Sequence, residues 1–204
     1  WTEAVRRDYN HPCVVAWTPF NESWGIRGVQ DGVAQQQFVE HIYNLTKRLD
    51  PYRPICDNSG WMHTLTDIAD IHDYSERGED LRAHWEEFER SNHRGGWPHL
   101  FFARAKSYMG QPIVVSEYGG ISLKGYEAPA GADRVAYGTH MESEEAYLAR
   151  YRDITSAIQD IEELQGFCYT QLTDIEQEIN GVMTYDRRPK VDPEKIAEIN
   201  LRRR

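Results

Sequence analysis

Apolar strand-like runs alternate with helical stripes along this 204-residue chain, and that alternation predicts an α/β fold with a parallel sheet and helical crossovers. Two observations carry the reading. Short runs such as "CVVAWT" (13–18), "PIVVSEY" (112–118) and "GFCYTQL" (166–172) have mostly apolar interiors, as strands covered on both faces do. Between them, apolar residues recur every three or four positions, the spacing of one helix face.

Taken in order, "WTEAVRR" reads as the end of a helix. Residues 13–18 form the first strand, entered after Pro12. Phe38, Ile42, Leu45 and Leu49 mark a helix that Pro51 and Pro54 bring to an end. "PICDNSG" supplies a second strand over 55–58. "ADIHDY" supplies a third over 68–74, more polar than the rest. Leu81, Trp85 and Phe88 mark another helix, and 100–108 is expected to add one more. "PIVVSEY" is the fourth strand. A Gly- and Pro-containing segment follows over 119–139. Tyr147, Tyr151, Ile154, Ile158 and Ile161 then step by four, three, four and three, which is helical. "GFCYTQL" is the fifth strand. Asp192 before Pro193 is a helix start, with Asp as N-cap and Pro at the first helical position, and this helix runs toward Leu201. The chain has no internal repeat, low-complexity tract or linker, so it is expected to form a single domain over 1–204.

Composition narrows the function. The chain is 40% hydrophobic and 27% charged, a globular rather than a disordered balance. Its net charge of −10 argues against nucleic acid or an anionic membrane as partner. No apolar run reaches the length of a membrane span, and "WTEAVRRDYN" is not a signal peptide. Cys13, Cys56 and Cys168 are odd in number and sit in apolar runs, so buried free thiols in a reducing, cytoplasmic setting are expected. The eight histidines show no ligand spacing; no metal and no cofactor is expected.

Two strands finish on carboxylates. "CVVAWTPFNE" ends at Asn21 and Glu22, and "QPIVVSEY" presents Glu117. In parallel α/β folds, ligand sites gather at the carboxyl ends of strands. The two glutamates are 117 − 22 = 95 residues apart, about three βα units. That spacing carries the chain across the mouth of an eight-stranded barrel. Two facing carboxylates there are the apparatus for cleaving a glycosidic bond, one protonated to serve the leaving oxygen and one ionised to meet the anomeric carbon. Each alone has a plainer explanation, as a helix cap or a solvated loop.

"RDYNHPCVVAWTPFNE" resembles the acid/base segment of glycoside hydrolase family two, the family of β-galactosidases, β-glucuronidases and β-mannosidases. "PIVVSEYGG" resembles its nucleophile segment, and "GFCYTQLTDIEQEINGVMTYDRRPK" its closing strand and following loop. The resemblance covers nearly the whole chain, in the family's order. It implies a retaining O-glycosidase acting on a carbohydrate substrate, on a partial (β/α)8 barrel comprising about strands four to eight. Glu22 would be the general acid/base and Glu117 the nucleophile. Asn21 would bond the sugar hydroxyl beside the anomeric carbon, and His72 or Tyr74 would orient or contact the nucleophile. For His72, a core histidine bonded to backbone is an equal alternative.

Trp24 is the best placed of the tryptophans to stack on a sugar, although packing explains Trp24, Trp61 and Trp97 as well. Tyr169 stands where the family often has Trp, Thr170 where an acidic residue often follows, and Phe20 where a small residue is usual. These departures leave the sugar unnamed.

On this reading the chain is the C-terminal part of a larger enzyme's catalytic barrel, with little activity by itself. Its two open strand edges and uncovered barrel face favour a homodimer. The competing reading, from another class, is an open doubly wound sheet serving as a carbohydrate-binding or interaction module, with both glutamates incidental.

Overall fold

The computed structural model describes residues 1–126 and 136–202. The chain forms two compact units, Trp1–His72 with Glu86–Ser116, and Asp73–Trp85 with Glu117–Arg204. It passes between them within β3 (Ala69–Asp73), α3 (Gly78–Arg90) and β4 (Ile113–Gly119). The middle of the 119–139 segment, residues 127–135, lies outside the described residues.

The first unit holds α1 (Thr2–Asp8), β1 (Phe20–Asn21), α2 (Val33–Leu49) and β2 (Asn58–Ser59). β1 and β2 pair in parallel, Phe20 opposite Asn58 and Asn21 opposite Ser59. β3 lies beside β4. Val5, Trp17 and Ile55 form one buried cluster, and Ile26, Val29 and Val39 another. Full burial stabilises each such side chain by about 1.5–3 kcal/mol.

In the second unit β4 continues beside β5 (Leu164–Thr170). α4 (Glu144–Asp160) begins at Ser143, whose hydroxyl accepts from the Ala146 N–H. α5 (Pro193–Asn200) begins as its sequence predicts, with the Asp192 carboxylate accepting from the Glu194 N–H and Pro193 at the first position. Tyr118, Tyr147 and Tyr151 are buried in its core among aliphatic side chains such as Ile121, Ile154 and Ile158.

Several expectations are corrected. Residues 13–18 do not form a strand. A turn at Pro12 and Cys13 exposes Cys13 and Val15, and only Trp17 pairs, through bonds to Pro54 O (3.0 Å) and from Cys56 N (2.9 Å). Pairing resumes at β1, two residues long. Residues 100–108 are not helical. Residues 100–103 pair with the 62–63 segment, Met62 N to Leu100 O at 2.8 Å and Ala103 N to His63 O at 2.9 Å, and a turn follows at Arg104 and Ala105. Phe101 and Phe102 are both buried there, on alternate sides of the extended chain. Of the three thiols only Cys56 is buried; Cys168 is exposed on β5. The buried face of α2 carries Gln36, Val39 and Thr46, while Phe38 is half exposed and packs on Phe20. Gln36 and Thr46 tolerate burial because their side chains donate to backbone carbonyls, Val29 O and Ile42 O. Among the described residues, no helix is long and apolar enough to cross a membrane.

The turn after α2 is tied by Asp50, whose side chain is fully buried. Burial alone would raise its pKa, but Trp17 Nε1 (2.9 Å), Arg53 Nη1 (2.7 Å) and the N–H groups of Tyr52 and Arg53 bring it down to about 2. An unfolded Asp titrates near 3.9, so this stabilisation is present above roughly pH 4 and is lost as pH falls toward about 2. Asp50→Asn is expected to lower the unfolding free energy by about 2–3 kcal/mol near neutral pH. It should also remove the Asp50 contribution to the pH dependence between about pH 4 and 2, leaving a shallower loss of stability in urea unfolding across that range.

Candidate active site

Glu22 follows β1 directly, and its backbone is left-handed, with φ of 52°, as is that of Ser23, with φ of 59°. Such conformations cost a non-glycine residue about 1–3 kcal/mol. Bonds from β2 offset the cost. Glu22 N–H donates to Ser59 O (2.8 Å), Ser23 N–H to Asn58 Oδ1 (3.1 Å), and Asn58 Nδ2 to Ser23 Oγ (2.8 Å). The β1–β2 register therefore decides where Glu22 points.

Each oxygen of the Glu22 carboxylate has a nitrogen partner. Nδ1 of His72 lies 2.7 Å from Oε1, and Trp24 Nε1 donates to Oε2 at 2.8 Å. The His72 bond is the main reason that Glu22 sits below the ordinary carboxylate pKa. Burial opposes it, while Trp24 and the nearby charge of His72 and His99 assist. His72 is buried, and its Nε2 lies 3.0 Å from Ser59 Oγ, which donates to Asp70 Oδ2 at 2.5 Å. Gly60, with φ of 100°, lets the chain pass this ring; a Cβ there would come within 2.8 Å of Nδ1. Trp61 meets His72 edge-on at 5.6 Å and stacks on His99 at 4.2 Å.

The second unit holds Glu117 on β4. Tyr74 donates to Glu117 Oε2 at 2.5 Å. Burial and that bond push the Tyr74 phenol well above its ordinary pKa, so it stays a donor throughout the neutral range. Tyr137 stacks on Tyr74 at 3.5 Å with the ring planes 9° apart.

A family model for glycosyl hydrolases family 2, TIM barrel domain, matches residues 1–199. The chain belongs to this family. A β-glucuronidase of Paenibacillus borealis is 26% identical over 206 residues, taking in 93% of this chain and 31% of that protein. The solved family 2 β-galacturonidase of Eisenbergiella tayi, bound to galacturonate, matches with a TM-score of 0.69 at 21% identity, over 97% of this chain and 35% of that one. A β-D-glucuronidase of Dictyoglomus thermophilum matches with a TM-score of 0.65 at 17% identity, over 99% of this chain and 34% of that one. The chain spans about a third of the length of these relatives. At such identities the structural likeness shows the fold, in keeping with the α/β content and parallel pairing of this family 2 chain.

The residues singled out by sequence are thereby located. His72 is bonded to Glu22, whereas Tyr74 is the residue on Glu117. Asn21 is exposed, and Trp24 is 75% exposed with its indole N–H on Glu22. Tyr169 turns into the tyrosine core: its hydroxyl meets Tyr147 Oη at 2.9 Å and accepts from the Ile121 N–H at 3.1 Å. Sequence reading missed Ser59, Asp70 and Tyr137. A signal for Asp70 was present, since Asp70 and His72 stand two apart in one strand and so share a face.

Among the described residues of the first unit, Cys56, His63 and Asp70 come close enough to share an ion. Both His63 nitrogens already have partners, Asp57 Oδ1 (2.7 Å) and the Asp70 backbone, and the Cys56 thiol donates to Asp70. The cluster is a hydrogen-bonded core, fully accounted for without a metal.

Gly119, two residues past Glu117, has φ of 92°, and a Cβ there would run into the Tyr169 ring. Gly119→Ala combines backbone strain with a collision against a buried ring, and is expected to cost at least about 2 kcal/mol in urea unfolding.

Proposed function

We propose that the whole protein is a retaining O-glycoside hydrolase in which Glu117 is the nucleophile and Glu22 the general acid/base, and that the present chain supplies about strands four to eight of its barrel. The observation that carries this reading is that each strand-end carboxylate has its own fixed partner, Tyr74 on Glu117 and the His72–Trp24 pair on Glu22. Solvated loop carboxylates have no need of such partners.

The chemistry follows from these contacts. Tyr74 orients the Glu117 carboxylate through Oε2, and that carboxylate forms the bond to the anomeric carbon. Glu22 gives a proton to the glycosidic oxygen as its bond to the anomeric carbon breaks. In the second half, Glu22 takes a proton from water, whose oxygen displaces Glu117. Net retention at the anomeric carbon results from the two displacements. Asn21, at the end of β1, is exposed and free to reach a sugar hydroxyl, and Trp24 offers an exposed ring face. Tyr169 acts indirectly in this scheme, by packing against Gly119.

The names of the relatives make aryl β-D-glucuronides and β-D-galacturonides the first substrates to try on the whole protein, beside neutral β-galactosides. The first-formed anomer, followed by proton NMR, should be the β-anomer. Glu117→Gln is expected to abolish formation of the glycosyl-enzyme. Glu22→Ala should slow substrates with poor leaving groups by about 10²–10⁴-fold and activated aryl glycosides far less. Equal losses on both kinds of substrate would remove Glu22 from the role of acid. If no glycoside is hydrolysed and no covalent sugar is trapped, a carbohydrate-binding module becomes the better account.

A further inference from the structure

A general acid must bring a proton to the leaving oxygen near neutral pH, yet Glu22 sits below the ordinary carboxylate range. The hydrogen bonds behind it show where the proton can be kept. Donors converge on the Asp70 carboxylate: Ser59 Oγ (2.5 Å), Gly60 N–H (2.8 Å) and the Cys56 thiol (3.2 Å). Asp70 therefore accepts, and the single hydroxyl proton of Ser59 is committed to it. The Ser59 oxygen can then only accept from His72, so Nε2 of His72 carries a proton. This decides the other side of the ring. If His72 is neutral, Nδ1 is a bare lone pair facing Glu22 Oε1 at 2.7 Å, a contact satisfied only by protonated Glu22. If Glu22 is ionised, Nδ1 must carry the proton. Either way the contact holds one proton.

Resting on the proposed role of Glu22, we infer that His72 is a positioning residue that stores the acid's proton: Asp70 and Ser59 orient the ring so that Glu22 and His72 share one proton. In bond cleavage, the shared proton goes to the glycosidic oxygen. The C–O electron pair leaves with that oxygen as the Glu117 carboxylate bonds to the anomeric carbon. Glu22 is then a carboxylate and His72 neutral, with no proton between them. In the second half, water gives one proton back to the pair and its oxygen to the anomeric carbon, and the bond to Glu117 breaks. The titratable groups facing the pair within this unit are Asp70, through Ser59, and His99, stacked on Trp61.

The pH profile of kcat/KM for the whole protein tests this, using an aryl glycoside that it hydrolyses. The basic limb belongs to the pair, not to Glu22 alone. His72→Gln keeps an N–H donor at the ring's place but cannot hold the exchangeable proton. It is expected to move the basic limb down by about one pH unit or more. Poor leaving groups should suffer more than activated ones. A uniform loss of rate with the limb unmoved would make His72 a packing residue. An upward shift would make it only a donor that keeps Glu22 ionised. Either result overturns the proposal. A readout independent of activity is nitrogen NMR of labelled histidine near neutral pH. Both His72 ring nitrogens should carry protons in the parent protein, and only Nε2 in Glu22→Gln. The same protonation in both proteins would overturn the shared proton, even if the leaving-group test upholds Glu22 as the acid.

Discussion

Asp70 carries a carboxylate into the interior of the first unit, and the polar groups around it are arranged to answer that charge. A buried charge is tolerable only when donors surround it. The donors here are a hydroxyl, a backbone N–H from a left-handed glycine and a thiol, all drawn from the 56–60 segment. Meeting Asp70 therefore fixes the turn after β2. The same turn supplies Ser59 O, which receives the N–H of Glu22, and Ser59 Oγ, which meets His72. The strained backbone at Glu22 and the direction of its carboxylate thus both trace back to one buried acid.

The device recurs beside Asp70 and beyond it. Asp57, also buried, gathers His63 Nδ1 and the N–H and hydroxyl of Thr64, fixing the 61–64 turn. Asp50 ties the turn after α2. In the second unit Lys190 donates to Asp174 (2.6 Å) and to Ile179 O (2.8 Å), while Gly181 N–H donates to the same carboxylate oxygen. Burial lowers the Lys190 pKa and Asp174 resists that, so the pair holds the loop after β5 in one shape. Loops of this kind gain little from apolar contacts. Buried acids with several donors give them the precision that binding and catalysis require. Removing one partner of such a set costs far more than the set contributes net.

The two candidate carboxylates differ in a way that suits the division of labour proposed for them. Tyr74 cannot titrate in the neutral range, so its bond to Glu117 is constant throughout a reaction cycle. The ring nitrogen of His72 can either give or accept the bond, so its contact with Glu22 is able to change with each proton transferred. A nucleophile needs a fixed orientation, whereas an acid/base needs a partner that follows its charge.

Much of the fold was legible because it depends on local periodicity. The stripe in α4 and the Asp192–Pro193 cap of α5 are short-range patterns with short-range causes. The two strand-end glutamates were legible for a similar reason, since an acid closing an apolar run stands out in the sequence. What the sequence could not show were pairings between distant residues. Residues 100–108 look helical by content, yet the backbone of 100–103 bonds to 62–63, and a pairing across some forty residues leaves no local trace. Cys13 and Cys168 sit in apolar runs but are exposed, because burial depends on what covers a face. The sequence by itself determined the helical stripe of α4, the cap of α5 and that Glu22 and Glu117 each follow an apolar run. Only the tertiary structure decided that His72 serves Glu22 while Tyr74 serves Glu117. Those contacts join residues 50 and 43 positions apart, and an alternation that places a side chain on a face does not specify what lies opposite it.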